Sequence, residues 1–181
     1  MMLYKQRNEQ KRKEFQDQIS TFEDEQIVWV DECGMNRELY RLYGRSQRGQ
    51  RIQDETSGDR IVPRISMIAG YCQGHLLAPC RFDGHTDSVV FNLWVKKILL
   101  PELKSGQIII LDNASFHKSK TTRQLIESVD CQLLFQPPYS PDLNKIEPQW
   151  AILKQGVRTN IDSDLSIHQQ LDAQLIKMSE P

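Results

Sequence analysis

The sequence predicts a single α/β domain in which helices pack against a mixed β-sheet. Three observations support this fold class. Apolar and alternating segments in the N-terminal half predict three to four antiparallel strands, a segment with helical spacing follows them, and the C-terminal half reads strand, helix, strand, helix. The length of 181 residues suits one such domain and is short for two.

The predicted strands of the N-terminal half begin at residue 27. Residues 27–34 (IVWVDECG) form an apolar run that ends in acidic residues and a glycine, which is typical of a buried strand. Residues 37–43 alternate charged and apolar side chains and predict a strand with one wet face. Residues 44–60 are rich in glycine, serine and charge and predict a long loop. Two more strands are predicted over 60–72 and 75–82, so the sheet has five strands, or six if 37–43 pairs with it.

The C-terminal half alternates between helix and strand. Apolar spacing over 86–103 predicts a helix, and the continuous apolar run 107–111 predicts a strand buried on both faces. A helix over 119–128 and a strand over 132–135 complete a βαβ-like unit. Two further helices are predicted, one around 146–157 and one over 163–178.

The predicted elements divide the chain into three parts. Residues 1–25 are polar helix formers with few large apolar side chains, so we expect a solvated helical linker remnant there. The globular core is predicted over 26–160, and a C-terminal helix over 161–181.

Composition excludes several classes of protein. Lys plus Arg is 23 and Asp plus Glu is 24, and this balance excludes a polybasic protein without excluding local basic patches. The four cysteines form no CxxC pair, so we expect neither a disulfide framework nor a zinc site. No segment approaches the roughly 20 apolar residues that span a bilayer, and the N-terminus lacks the apolar core of a signal peptide. We therefore expect a cytoplasmic protein without membrane association.

Three acidic residues stand at the ends of predicted elements. Asp31 ends the first predicted buried strand, Asp112 ends the strand 107–111, and Glu147 lies near the start of a helix. Acids in such places can converge on one edge of a sheet. Each alone has a simpler interpretation, because aspartate after a strand often forms a turn and Glu147 could close a capping box with Asn144.

Five sequence blocks, taken together, strengthen the interpretation of these acids as functional residues. They are VDECG, YGRSQRGQR, RISMIAGYCQGHLLAP, LDNASFHKSK and PPYSPDLNKIEPQW, in that order over residues 26–158. In these blocks the chain resembles the catalytic domain of DDE transposases, in particular the bacterial insertion-sequence branch of the mariner superfamily. The 34 residues between Asp112 and Glu147 are also typical of that superfamily.

The resemblance implies an RNase H-like fold with Asp31, Asp112 and Glu147 as the catalytic and metal-binding triad. It implies two Mg²⁺ ions, for which Mn²⁺ can substitute, with Asp31 as the bridging ligand. Carboxylate oxygens are the ligands that Mg²⁺ prefers. Two such ions about 4 Å apart can assist the attacking and the leaving oxygen of a phosphodiester.

Basic and polar residues near the acids are candidates for contacting DNA. Five arginines and a single acid lie between residues 37 and 51. Such groups can bind phosphates, although a run of charges can equally be a solvated face. The candidate DNA-binding residues are Arg45, Arg48, Arg51, Lys118, Lys120 and Tyr139.

Other side chains near the acids have weaker assignments. Asn113 and His117 are candidates for positioning substrate or water, and a packing or turn role is the alternative for His117. The three tryptophans, Trp29, Trp94 and Trp150, fall on apolar faces, so we expect them in the core.

Two features depart from the family pattern. The helix-turn-helix DNA-binding region that recognises transposon ends is missing from this chain, so we expect the chain alone not to select them. At the third acid the sequence reads NKIEP, with Lys145 where the family usually has proline and with Pro148 after Glu147. Because proline restricts the preceding residue, we predict that the helix start shifts towards Pro148 and displaces the Glu147 carboxylate.

The predicted function is metal-dependent cleavage of double-stranded DNA and strand transfer in transposition, acting on transposon ends and target DNA. The resemblance further implies a homodimer as the working complex and insertion at TA dinucleotides. Two alternatives remain open. The chain could be a catalytically disarmed remnant that binds DNA or transposase as a regulator, or a nuclease of the same fold that cuts without strand transfer.

Overall fold

The computed structural model describes residues 7–36, 47–49, 64–160 and 164–180. Within these ranges the strands are β1 (Ile27–Asn36), β2 (Arg64–Cys72), β3 (His75–Asp83), β4 (Ile108–Leu111) and β5 (Gln132–Phe135). The α-helices are α1 (Glu9–Ile19), α2 (Ser88–Trp94), α3 (Lys120–Glu127), α4 (Glu147–Thr159) and α5 (Ile167–Ser179). Among these helices, none has the length and apolar character needed to span a lipid bilayer.

The strands form one sheet in the order β3-β2-β1-β4-β5. β1 and β2 pair antiparallel, as do β2 and β3, whereas β1 with β4 and β4 with β5 pair parallel. The predicted α/β class, a mixed five-stranded sheet flanked by helices, is therefore confirmed. The predicted strand over 37–43, and all of the predicted loop except residues 47–49, lie outside the described residues.

Helices cover both faces of the sheet. Side chains alternate between the faces along β1, so Trp29 packs with α1, α4 and α5 while Val28 and Val30 pack with α2 and α3. The same alternation directs Asp31 towards the α4 face and Glu32 towards the α2 face. Adjacent residues of one strand thus serve opposite sides of the sheet.

Polar caps fix where several helices begin. The Asp87 carboxylate accepts hydrogen bonds from the backbone N–H groups of Val89 and Val90 at the start of α2. Ser119 caps α3 in the same way, and Ser166 forms a capping box with Gln169 at the start of α5. These caps explain why the helices start at these residues.

The prediction that the first helix is solvated is wrong for one side of α1. Phe15 is buried and meets the ring of Trp29 edge to face, with 6.4 Å between the centroids. Arg12 is also buried, and its guanidinium donates to both carboxylate oxygens of Asp142 at 3.0 and 2.7 Å. Phe15 and the aliphatic stem of Arg12 attach α1 to the core, so most of the helix can be polar and its sequence does not reveal the buried side.

We expect the Arg12–Asp142 pair to couple α1 to the domain. Paired, bidentate hydrogen bonds between charged groups are strong, so a double-mutant cycle with Arg12→Ala and Asp142→Ala should give a coupling energy of about 1–3 kcal/mol. Urea unfolding of the four proteins measures it. The exposed pair Arg123–Glu127, at 3.2 Å, is the control and should give below about 0.5 kcal/mol. Equal coupling in the two pairs would contradict this expectation.

Candidate active site

Parallel pairing brings Asp31 and Asp112 to the same edge of the sheet. β1 and β4 pair with Trp29 opposite Ile110, and the two aspartates each lie two residues further along their chains. The expectation that Asp31 ends the first strand is wrong, because β1 continues to Asn36. Asp112 directly follows β4, and the two parallel strands run in step, so the two carboxylates lie side by side where β4 ends. The adjacent Asn113 side chain donates to the backbone carbonyl of Gln136, which holds the segment after β4 against the segment after β5.

Glu147 reaches the same edge from the start of α4. The helix begins at Glu147, with Pro148 as its second residue, so the expected shift of the helix start towards Pro148 is present. The predicted displacement is wrong, because Glu147 lines one cavity together with Asp31 and Asp112. Proline fits here since the first-turn N–H groups of a helix need no partner within it. Lys145 points away and pairs with Asp24 at 2.8 Å.

The cavity at this edge has a volume of about 380 Å³ and is open to solvent. Its walls come from the three acids and from the loop between β5 and α4. The lining residues are Asp31, Asp112, Asn113, Gln136, Pro137, Pro138, Tyr139, Ser140, Pro141, Asn144 and Glu147. Of these, Tyr139 is about half exposed and has a backbone φ of 56°, in the left-handed region. The loop therefore presents an aromatic ring at the mouth of an acidic cavity.

Asp31 has an unusual protonation equilibrium. Burial, followed by the negative charges of Glu147 and Glu32, raises its pKa to about 7. The indole N–H of Trp150 donates to Asp31 Oδ2 at 3.2 Å and orients the carboxylate. Asp31 is thus held in an environment that disfavours its negative charge unless a positive charge is supplied.

The donor set of the cavity suits a hard divalent cation. The three acids offer only oxygen ligands, and burial together with the negative charges of Glu147 and Glu32 raises the pKa of Asp31, so a bound cation would offset the cost of ionising it. Among the described residues, no group of three or more His, Cys, Asp or Glu side chains is close enough to hold one ion. A three-residue ligand group is not required for Mg²⁺, which often takes one or two carboxylates and completes its shell with water and phosphate.

His117 lies between two carboxylates. Its Nδ1 is 2.7 Å from Asp112 Oδ1 and its Nε2 is 2.9 Å from Glu32 Oε1. Burial works to lower the pKa of His117, but the hydrogen bonds to Asp112 and Glu32 raise it to about 9. Burial likewise works to raise the pKa of Asp112, and the bonds from His117 and from the Ala114 N–H lower it overall. His117 is fully buried and is not among the residues that line the cavity, so it does not reach the cavity itself.

The basic candidates lie around the site rather than in it. Arg45 and Arg51 fall outside the described residues, and Arg48 is exposed. Lys118 is exposed just before α3, and Lys120 is exposed as its first residue. The ammonium group of Lys118 lies 5.9 Å from the centre of the Phe135 ring. Neither lysine lines the cavity.

Three residues of the site escaped sequence analysis. Trp150 was expected in the core, where it is, but its indole also binds Asp31. Glu32 follows Asp31 directly, and strand alternation is the signal that separates the two. Gln136 is buried beside the cavity, and its side-chain Nε2 has no hydrogen-bond partner among the described residues.

Solved structures with a similar fold include transposases and a retroviral integrase. The Mos1 transposase paired-end complex matches with a TM-score of 0.69 at 16% identity, over 99% of this chain and 64% of that one. The Mos1 transposase catalytic domain with raltegravir and Mg matches with a TM-score of 0.55 at 14% identity, over 100% and 99%. The catalytic core of BIV integrase matches with a TM-score of 0.52 at 10% identity, over 84% and 82%.

These likenesses define the fold as that of the RNase H-like catalytic cores of transposases and integrases. The chain belongs to the DDE superfamily endonuclease family, whose profile matches residues 26–166. No curated protein matches the chain in sequence. The chain spans about two thirds of the length of the Mos1 transposase chains in their DNA complexes.

Proposed function

We propose that this chain is the catalytic domain of a DDE transposase of the bacterial insertion-sequence branch of the mariner superfamily. It hydrolyses a phosphodiester at an element's end, so that the P–O3′ bond breaks and a 3′-hydroxyl is released. That hydroxyl then attacks a phosphodiester of the target DNA and displaces another 3′-oxygen. The observation that carries the proposal is the convergence of Asp31, Asp112 and Glu147 on one cavity of a family member.

In this proposal the three acids hold the divalent cations. Asp31, Asp112 and Glu147 would be the ligands, since all three line the cavity. Bound Mg²⁺ or Mn²⁺ would activate the attacking oxygen and neutralise charge on the scissile phosphate. Mos1 paired-end complexes have been solved with Mg and with Mn, which supports divalent cations as the proposed cofactors. The Trp150 indole keeps the Asp31 carboxylate turned towards the cavity.

Double-stranded DNA is the proposed substrate, contacted by basic side chains around the acidic cavity and by an aromatic side chain at its mouth. Exposed Lys118, Lys120 and Arg48 suit phosphate contacts, which position DNA without reading its sequence. Tyr139 suits a contact with a sugar or base, since its ring is half exposed at the mouth of the cavity. A homodimer is the proposed working complex, because joining an element to its target requires two ends to be held together.

Nicking of supercoiled plasmid in Mn²⁺ or Mg²⁺ tests this function. Wild-type protein is expected to convert the plasmid to open circles, and Asp112→Asn should reduce the rate by at least about 1000-fold, as removal of a residue that acts within a catalytic unit does. The control is Asp17→Asn, which alters an exposed acid on α1 and should nick like the wild type.

Each other result contradicts part of the proposal. Equal nicking by Asp112→Asn would place the cleavage outside this site. DNA binding without nicking by the wild type would favour the regulatory alternative. A substrate labelled at its 3′-end distinguishes a transposase from a nuclease of the same fold, because strand transfer attaches the label to target DNA and simple cleavage does not.

A further inference from the structure

A hydrogen-bond network of Glu32, His117 and Asp112 lies beneath the candidate active site and links β1 to the end of β4. Glu32 Oε1 lies 2.9 Å from His117 Nε2, and His117 Nδ1 lies 2.7 Å from Asp112 Oδ1. His117 is fully buried, and the Glu32 side chain is only 16% exposed. His117 and Glu32 therefore contact Asp112 from within the protein, on the side away from the cavity.

The position of Glu32 on β1 lets this hydrogen-bond network link the two aspartates of the cavity. Asp31 and Glu32 are adjacent on β1 and point to opposite faces of the sheet. Asp31 faces the cavity, whereas Glu32 faces the cluster that contains Phe91. Through His117, Glu32 ties the Asp112 carboxylate to the same strand that carries Asp31, so the bridge constrains the two cavity acids relative to each other.

The ring of His117 packs against two aromatic side chains, while its hydrogen bonds to Glu32 and Asp112 set its orientation. Phe91 and Phe116 lie against it, with ring centroids 4.4 and 4.3 Å from that of the imidazole. The backbone N–H of Ala114 donates to the same Asp112 oxygen at 2.8 Å. One oxygen of Asp112 is thus fully occupied by protein donors, and Oδ2 is the oxygen left to face the cavity.

We infer that His117 and Glu32 are positioning residues that orient Asp112 Oδ2 for a divalent cation, an inference that rests on the proposed function. Neither residue touches DNA or the reacting atoms. Partners of this kind, which bind a ligand rather than the metal, typically change metal affinity or activity by 10–100-fold when they are replaced.

The test is the affinity of the DNA-free protein for Mn²⁺, measured by titration calorimetry or from the electron paramagnetic resonance signal of free Mn²⁺. His117→Phe keeps an aromatic ring between Phe91 and Phe116 but removes both hydrogen bonds, and it should weaken Mn²⁺ binding about 10–100-fold. Glu32→Gln keeps the size of the side chain and should weaken binding several-fold. Circular dichroism establishes that each variant is folded, and Glu32→Gln answers the question if His117→Phe does not fold.

A matched control separates positioning from packing. Phe116→Leu disturbs the same aromatic cluster without touching an acid, so it should lower the thermal stability and leave the Mn²⁺ affinity unchanged. In nicking assays His117→Phe should lower kcat at a fixed Mn²⁺ concentration, leave the Kd for DNA unchanged, and recover with excess Mn²⁺.

The outcomes distinguish the two hypotheses. Wild-type Mn²⁺ affinity in both His117→Phe and Glu32→Gln, with loss of binding in Asp112→Asn, would overturn the positioning role and leave the proposed function intact. An equal loss in Phe116→Leu would also overturn it. If the wild type does not bind Mn²⁺, or Asp112→Asn binds it equally well, the proposed function fails and the positioning role fails with it.

Discussion

Asp31→Asn is expected to abolish metal-dependent nicking while it stabilises the metal-free protein above pH 7. The pKa of Asp31 is raised from 3.8 to about 7 by burial and by the charges of Glu147 and Glu32. The folded state therefore favours the protonated acid. The stability that this protonation contributes is complete below pH 3.8 and is lost as the pH rises through 7.

At pH 8 the ionised Asp31 costs the metal-free fold free energy that asparagine does not. One pKa unit corresponds to about 1.4 kcal/mol, so the gain from Asp31→Asn is up to about 4 kcal/mol at pH 8 and close to zero below pH 4. Asparagine retains an oxygen that can accept from Trp150, so the packing of α4 is preserved. Urea unfolding between pH 4 and 8, without divalent cations, measures the difference.

Divalent cations should reverse the ranking of the two proteins. Mn²⁺ is expected to raise the melting temperature of the wild type more at pH 8 than at pH 5, and to leave Asp31→Asn almost unaffected. Asp17→Asn, on the exposed side of α1, should follow the wild type throughout. A wild type whose stability does not change between pH 5 and 8 would contradict the assigned environment of Asp31.

The second large effect is a loss of stability as His117 deprotonates. The pKa of His117 rises from 6.5 to about 9, because its hydrogen bonds to Asp112 and Glu32 outweigh burial. The protonated imidazole stabilises the fold fully below pH 6.5, and this contribution disappears as the pH rises through 9. The shift corresponds to about 3 kcal/mol at most.

This effect is best measured where Asp31 no longer titrates. In an Asp31→Asn background, the free energy of unfolding should fall between pH 6.5 and 9.5, and the additional substitution His117→Phe should remove most of that fall. Phe116→Leu in the same background is the control, since it should lower stability by the same amount at every pH. Parallel pH profiles for the His117 and Phe116 variants would contradict a protonated His117.

The order and type of the elements were predictable from local sequence patterns. Apolar runs indicated β4 and β5, and the mixed sheet follows from a meander joined to a βαβ unit. The helix predicted over 86–103 is less regular than its apolar spacing suggests. α2 continues as a π-helical turn at Val95–Leu99 and a 3₁₀ turn at Leu100–Glu102. Pro101 has no N–H to donate, so a regular helix cannot continue through it.

The candidate acids were also predictable, whereas their partners were not. Asp112 and Glu147 stand at the ends of elements, whereas Asp31 lies within β1, and the sequence blocks shared with DDE transposases indicated all three. The bond from Trp150 to Asp31 depends on the direction of an indole edge, which only the packing of α4 on the sheet sets. His117 and Glu32 are separated by 85 residues, and no local pattern links them.

The effect of Pro148 illustrates the same division. Backbone sterics correctly indicated a helix start near this proline, but the position of the Glu147 side chain depends on how α4 docks on β1. Likewise the polar pattern of α1 concealed Phe15 and Arg12, whose burial requires partners far along the chain. Short-range propensities determine which residues form helices, strands and turns. Pairings between distant segments determine which side chains share a cavity, because each such pairing depends on the shape and charge of both surfaces at once.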